Sequence, residues 1–198
     1  MASSKGRPRE FDTDAALDAA MNLFWDQGYE ATGVAQLCEV MGIAKQSMYD
    51  WVGDKRNLYL LAIERYFQVR VKGLGPLLAD GESPLASLRH CLQAMASYAK
   101  ASDCRGCLLT NSQSEFGTSD DDIAACAARM ESFIHDVFVE VLERAQAKGE
   151  IDSSLDCKSL GAALTVVRNG LMVAGRAGQS SEAIDQTISM VEKLMKPH

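Results

Sequence analysis

Six cysteines stand at positions 38, 91, 104, 107, 126 and 157, and two of them make the C-x-x-C spacing Cys104-Arg-Gly-Cys107. That spacing serves zinc or thiol–disulfide chemistry. A structural zinc site needs a second ligand pair, and His90, His135 and His198 form no motif with it. A thioredoxin-like site needs a strand–helix–strand setting, and nothing here reads as a strand. Two readings remain for Cys107. It is a reactive thiolate at a helix N-terminus with Arg105 beside it, both of which lower a thiol pKa, and Cys104 is its resolving thiol. Alternatively it is a small hydrophobe lining a cavity. Without an apolar leader after the basic start, the remaining cysteines read as reduced, packed thiols.

A second group of capable side chains lies at Lys45-Gln46-Ser47-Met48-Tyr49-Asp50-Trp51. Lysine can meet a phosphate or a guanine edge, and glutamine can pair with adenine. Ser47, Tyr49 and Trp51 suit phosphate or sugar. Asp120, Asp121 and Asp122 form a carboxylate cluster, but their place before an apolar run reads as helix capping rather than a metal site. No paired-carboxylate metal motif, phosphate-cradling glycine loop or nucleophile elbow occurs, so no enzyme, metal or cofactor is expected.

The elements that must position these groups read as helices. Leu17, Met21, Phe24 and Trp25 share one face over 13–27, and Gly28 supplies a stop. Short helices follow at 34–41 and 45–51, joined by Gly42-Ile43-Ala44, which is a helix-turn-helix spacing. Val34, Leu37, Cys38, Ile43 and Met48 are its locking positions. Longer helices are expected at 55–72, 84–101, 107–115, 120–147, 156–175 and 181–195. Leu58, Leu61, Ala62, Arg65 and Val69 form the stripe of the first of these. Gly73, Gly75 and Pro76 read as a break. The fold class is all-α: an N-terminal three-helix bundle with a helix-turn-helix, then a larger helical domain. The divisions are a basic arm at 1–9, a reading domain at 10–54 and a C-terminal domain at 55–198.

Composition agrees with a folded, membrane-free chain. Hydrophobic residues are 47% and charged residues 24% of 198 residues, enough to bury a core. No apolar run approaches the ~20 residues of a membrane span, so a cytoplasmic location is expected. Net charge is −7, which excludes a general nucleic-acid coat and requires local positive charge for any DNA contact. Residues 1–60 hold six Lys/Arg against nine Asp/Glu, net −3, and the bases cluster at 5–9 and 45–56.

Phe24-Trp25-Asp26-Gln27-Gly28-Tyr29-Glu30-Ala31-Thr32, then Gly42-Ile43-Ala44-Lys45-Gln46-Ser47-Met48-Tyr49 and Lys55-Arg56-Asn57-Leu58, resemble the DNA-binding domain of TetR-family transcriptional regulators. Gly-Arg-Pro-Arg-Glu-Phe-Asp at 6–12 is similar to many members. The resemblance covers about residues 6–66. It implies a homodimer that binds a double-stranded DNA operator, represses, and lets go when a small-molecule effector binds or a cysteine is modified. By it, Lys45, Gln46, Ser47 and Tyr49 fall where the family contacts DNA, Thr32 and Gly33 where its second helix meets phosphate, and Lys55 at the start of the fourth helix. Lys5, Arg7 and Arg9 are the arm's candidates, and Trp51 another. Two departures stand out: Val52 replaces the usual aromatic, and Asp50 puts an acid beside the DNA face.

Arg105-Gly-Cys-Leu-Leu-Thr-Asn111 resembles a segment of one subgroup, some members of which are linked to sensing electrophiles or oxidants. Tyr98, Cys107, Asn111, Phe116, Phe133, Arg168 and Met172 are the candidate effector-pocket residues, apolar walls with few polar groups. Small and apolar residues at 160–175 imply, by the resemblance, helices paired with symmetry mates, and packing within one subunit is the alternative. A helical adaptor or an all-α enzyme without DNA activity is the competing function.

Overall fold

A computed structural model describes residues 11–79 and 81–195, and these are all-helical, with no strand among them. They divide into two compact units that meet between Arg65 and Tyr66. The first therefore runs beyond the boundary expected at residue 54.

The first unit contains α1 (Thr13–Gln27), α2 (Val34–Met41), α3 (Lys45–Val52) and most of α4 (Lys55–Tyr66). Asp12 caps α1 by accepting from the amides of Asp14 and Ala15, as short acceptor side chains do at a helix start. Between α2 and α3, Gly42 takes φ 65°, ψ 29°. Its N–H donates to the Glu39 carbonyl and that of Ile43 to the Cys38 carbonyl, both 3.1 Å. This Schellman closure turns the chain in the left-handed region that glycine enters freely. Ala20, Phe24, Leu37, Met48, Leu58 and Tyr59 are fully buried. Phe24 meets Tyr59 edge-on at 4.8 Å, and Tyr29 completes the aromatic cluster. Arg65 forks onto both Asp18 oxygens at 2.7 and 2.9 Å, pinning α4 to α1.

The buried stripe of α4 differs from the expected one. Tyr59 and Ile63 face inward, while Leu61 and Val69 are exposed. Apolar residues occupy both sides of this segment, so spacing alone did not single out the buried side. After Tyr66 the helix loosens into a π-helical turn, Phe67–Val71. A short α5, Leu74–Ala79, then stands where a break was expected, because Pro76 sits in its first turn, where a missing N–H costs nothing.

The second unit continues with α6 (Pro84–Ala99), α7 (Leu108–Phe116), α8 (Asp121–Ala147), α9 (Cys157–Arg176) and α10 (Ser181–Leu194). Asp120 caps α8 through the Ile123 amide at 3.1 Å. Two glycines of α9 are used inside the subunit rather than toward a symmetry mate. A Cβ on Gly161 would stand 2.7 Å from the Val139 side chain, and one on Gly175 would stand 2.7 Å from both the Ala99 carbonyl oxygen and Cys104 Sγ. The rest of the small-residue stripe points outward: Ala162, Ala163 and Gly170 are exposed. Gly175→Ala must displace α6 backbone, so its expected cost is ~1–3 kcal/mol, read as a lowered thermal midpoint. An unchanged midpoint would contradict this close approach.

Candidate DNA-reading face and thiolate site

The α3 face is built by its own burial pattern. Met48 and Val52 point into the first unit, which turns Lys45, Gln46, Tyr49 and Asp50 to solvent. These four lie one turn apart in pairs, so they form one contiguous polar patch. Lys45 Nζ stands 5.8 Å from the Tyr49 ring centroid. Gln46 Nε2 donates to Asp50 Oδ1 at 2.8 Å. Ser47 is half-buried at the edge of the patch. Val52 is a small plug, and the half-buried Trp51 packs edge-on against Phe11 at 5.3 Å.

Three expected contact residues are engaged elsewhere. Thr32 is fully buried, and its hydroxyl donates to the Gly28 carbonyl at 2.5 Å, so the side chain closes the α1–α2 loop rather than facing phosphate. The Gly33 N–H donates to Gln36 Oε1 at 2.9 Å. Lys55 Nζ donates to the Thr32 carbonyl at 2.9 Å and sits 4.0 Å from the Tyr29 centroid. Its ammonium thus ties α4 to the loop before α2. Of these pairings only Lys55 with Thr32 is long-range, 23 positions apart, and it leaves no trace in local spacing. Lys5, Arg7 and Arg9 lie outside the described residues.

The second site centres on Cys107, the N-cap of α7, which is completely buried. Arg168 Nη2 lies 3.1 Å from its Sγ. Burial pushes this thiol up, but the Arg168 charge, the Thr110 amide and the Tyr66 hydroxyl outweigh burial and hold it below its ordinary value. Tyr66 moves the opposite way, raised first by burial and then by the neighbouring Cys107 charge. Its hydroxyl is the one that donates toward Cys107. Cys91 lacks this set of donors and is pushed up to about 11 by burial, which Arg168 only partly offsets. The cation expected beside Cys107 was Arg105. The structure supplies Arg168 from α9 instead, 61 positions away.

Arg168 is itself held. Its Nη1 donates to Asn169 Oδ1 at 2.8 Å, Asn169 Nδ2 to Glu131 Oε1 at 2.9 Å, and Gln113 Nε2 to Glu131 Oε2 at 3.1 Å. One polar chain thus links α7, α8 and α9. Beside it lies a crevice of about 10 Å³ lined in part by Arg168, Thr110 and Glu131, far smaller than the ~300–1,000 Å³ of drug-sized pockets.

Three of the other candidate pocket residues, Tyr98, Asn111 and Met172, meet the Arg105-Gly106 loop. Tyr98 Oη accepts from the Arg105 amide at 3.1 Å and donates to the Gly106 carbonyl at 3.3 Å, and Asn111 Nδ2 donates to the Arg105 carbonyl at 3.1 Å. Both clamp the loop that presents Cys107. Phe133 meets Phe67 edge-on at 5.2 Å. Met172 is buried and its carbonyl abuts Gly106, while Phe116 is half-buried at the end of α7. Cys104 is half-buried, and all six cysteines are free. Among the described residues no three His, Cys, Asp or Glu group as metal ligands, and no helix is long and apolar enough to cross a membrane.

Residues 16–62 match the family model described as bacterial regulatory proteins, tetR family, and residues 84–191 match tetracyclin repressor-like, C-terminal domain. The HTH-type transcriptional repressor ComR of Escherichia coli (strain K12) is 31% identical over 185 residues, 92% of this chain and 88% of ComR. A cysteine mutant of the TetR family transcriptional regulator CifR, complexed with 26-base-pair operator DNA, superposes with a TM-score of 0.79 at 25% identity, over 96% of this chain and 100% of that one. Reduced NemR of E. coli shares the fold, with a TM-score of 0.84 at 16% identity over 93% of this chain and 97% of that one.

Proposed function

Because the chain belongs to the tetR family of bacterial regulatory proteins and is a DNA-binding transcriptional regulator, we propose that it is a cytoplasmic homodimeric repressor whose operator grip is controlled by the charge state of Cys107. The polar face of α3 carries the first half of this reading. Lys45, Gln46, Ser47 and Tyr49 contact the operator's major groove and its phosphates. The arm bases Lys5, Arg7 and Arg9 add phosphate contacts. Repression is steric, a dimer covering promoter DNA. ComR and the operator-bound CifR support both the repressor reading and its DNA target.

The second half rests on the Cys107–Arg168 contact. A thiolate is the nucleophile toward electrophiles and oxidants. Alkylation with loss of the electrophile's leaving group, or attack on a peroxide that yields a neutral sulfenic acid and water, removes the anion that Arg168, Thr110 and Tyr66 converge on and leaves a buried guanidinium without it. Tyr66 is the last residue of α4, the helix that begins in the reading unit. The freed donors rearrange, and the conformation that matches the half-site spacing loses population. The crevice beside Arg168 favours a small reagent over a bulky ligand.

Substituting Gln46 and Tyr49 by Ala tests the reading face. Both are exposed, so the fold should survive. Loss of two contacts at ~1–3 kcal/mol each predicts operator binding at least ~30-fold weaker, measured by titration against the DNA upstream of the chain's own gene. Unchanged affinity for a bound operator would reject α3 as the reader.

A further inference from the structure

The acid that departs from the family pattern on α3 is placed by a specific bond. Asp50 stands one turn after Gln46, and its Oδ1 accepts from Gln46 Nε2 at 2.8 Å, with both residues exposed. A carboxylate only accepts, so the amide is oriented without ambiguity: NH₂ toward Asp50 and Oε1 away from it. One N–H is consumed. The second N–H and Oε1 remain as an adjacent donor–acceptor edge. In the major groove adenine offers the complement of that edge, N7 as acceptor and N6–H₂ as donor. Guanine offers acceptors at both N7 and O6, so a held Oε1 meets a second acceptor. An untethered glutamine amide can flip and serve either purine.

We propose that Asp50 is a positioning residue that fixes the Gln46 amide as an adenine reader. The proposal rests on the α3 reading above. It also accounts for the placement of a negative charge where the partner is a polyanion. Asp50 makes no ion pair among the described residues, so its charge is not used to hold the fold. A carboxylate at the groove lowers affinity for DNA of any sequence, while the orientation it imposes keeps affinity for the right one. Discrimination is a difference of affinities and is raised by such repulsion.

The test is selection from randomised duplexes, followed by titration of single-base variants of the selected site at fixed salt. It uses the full chain and its Gln46→Ala, Asp50→Ala and Asp50→Asn variants. The unaltered chain is expected to prefer adenine over guanine at one position of each half-site by roughly tenfold or more. Asp50→Ala is expected to bring that ratio to within ~3-fold while random duplex binds more tightly. Asp50→Asn removes the charge but keeps an acceptor oxygen, so it should hold the adenine preference and still tighten non-specific binding. A merely structural role for Asp50 would move thermal stability and not this ratio. If Asp50→Ala keeps the original base preference at every position, the inference is overturned. If Gln46→Ala also leaves every preference intact, the α3 reading itself fails, which is a different outcome on the same titration.

Discussion

Arg168→Met should make Cys107 less reactive toward iodoacetamide at neutral pH, by about tenfold for each pKa unit that the thiol rises. Methionine fills similar apolar volume but removes the charge 3.1 Å from Sγ. What remains around Cys107 is burial, the influence that pushes Cys91 up to about 11, opposed by the Thr110 amide and the Tyr66 hydroxyl alone. The alkylation rate should level off at a lower pH in the unaltered chain than in Arg168→Met. Stability follows the same proton. The folded thiol lies below its ordinary value of 9.0, so its contribution is fully present above pH 9 and fades as pH falls through the folded pKa. The stability advantage over Arg168→Met should therefore grow toward alkaline pH. Operator release by mild peroxide should vanish in Cys107→Ser. Peptide mass spectrometry that finds Cys107 unmodified while peroxide still releases the operator would overturn the thiolate switch.

Val166→Glu should convert the proposed homodimer to monomer at micromolar concentration and weaken operator binding by ~100-fold or more, the scale of lost bivalency. Val166 is 70% exposed on α9, and Val173, Met190 and Leu194 on α9 and α10 are also strongly exposed. Exposed apolar side chains continuous with Ala162, Ala163 and Gly170 make a face that a second copy can cover. Sedimentation reads the mass, and the same operator titration reads the affinity. A dimer that survives this charge, with unchanged binding, would place the partner elsewhere.

Much of the helical order was legible because caps and apolar spacing agree locally. Asp12, Gly28 and Gly42 mark ends that the backbone takes up. Local signals failed where two answers fit the same residues. Leu61 on one side of α4, and Tyr59 and Ile63 on the other, are all apolar, and only tertiary packing chose. Gly73-Leu74-Gly75-Pro76 looked like a break because proline punctuates helices, yet it starts one too. The partners of the site residues were hidden for another reason. Thr32 and Lys55 sit in a string that resembles a DNA-contacting one, but Lys55 finds the Thr32 carbonyl 23 positions away, a pairing no periodicity encodes. Cys107 was legible as chemistry, and its cation was not: Arg105 is near in sequence, Arg168 is near in space. Both glycines of α9 that pack inside, Gly161 and Gly175, looked the same in sequence as Gly170, which does not.

The complete burial of Cys107 sets a tempo as well as a chemistry. A reagent can reach Sγ only in the fraction of molecules whose α7 N-terminus has opened. At low reagent levels the response therefore follows dose, and at high levels it runs at the opening rate and no faster. A brief surge shorter than that interval passes almost unread, whereas a sustained exposure accumulates modified protein. Under the proposed switch the buried thiol would act as a time filter, and the Tyr98 and Asn111 contacts to the loop before it are among those that must open.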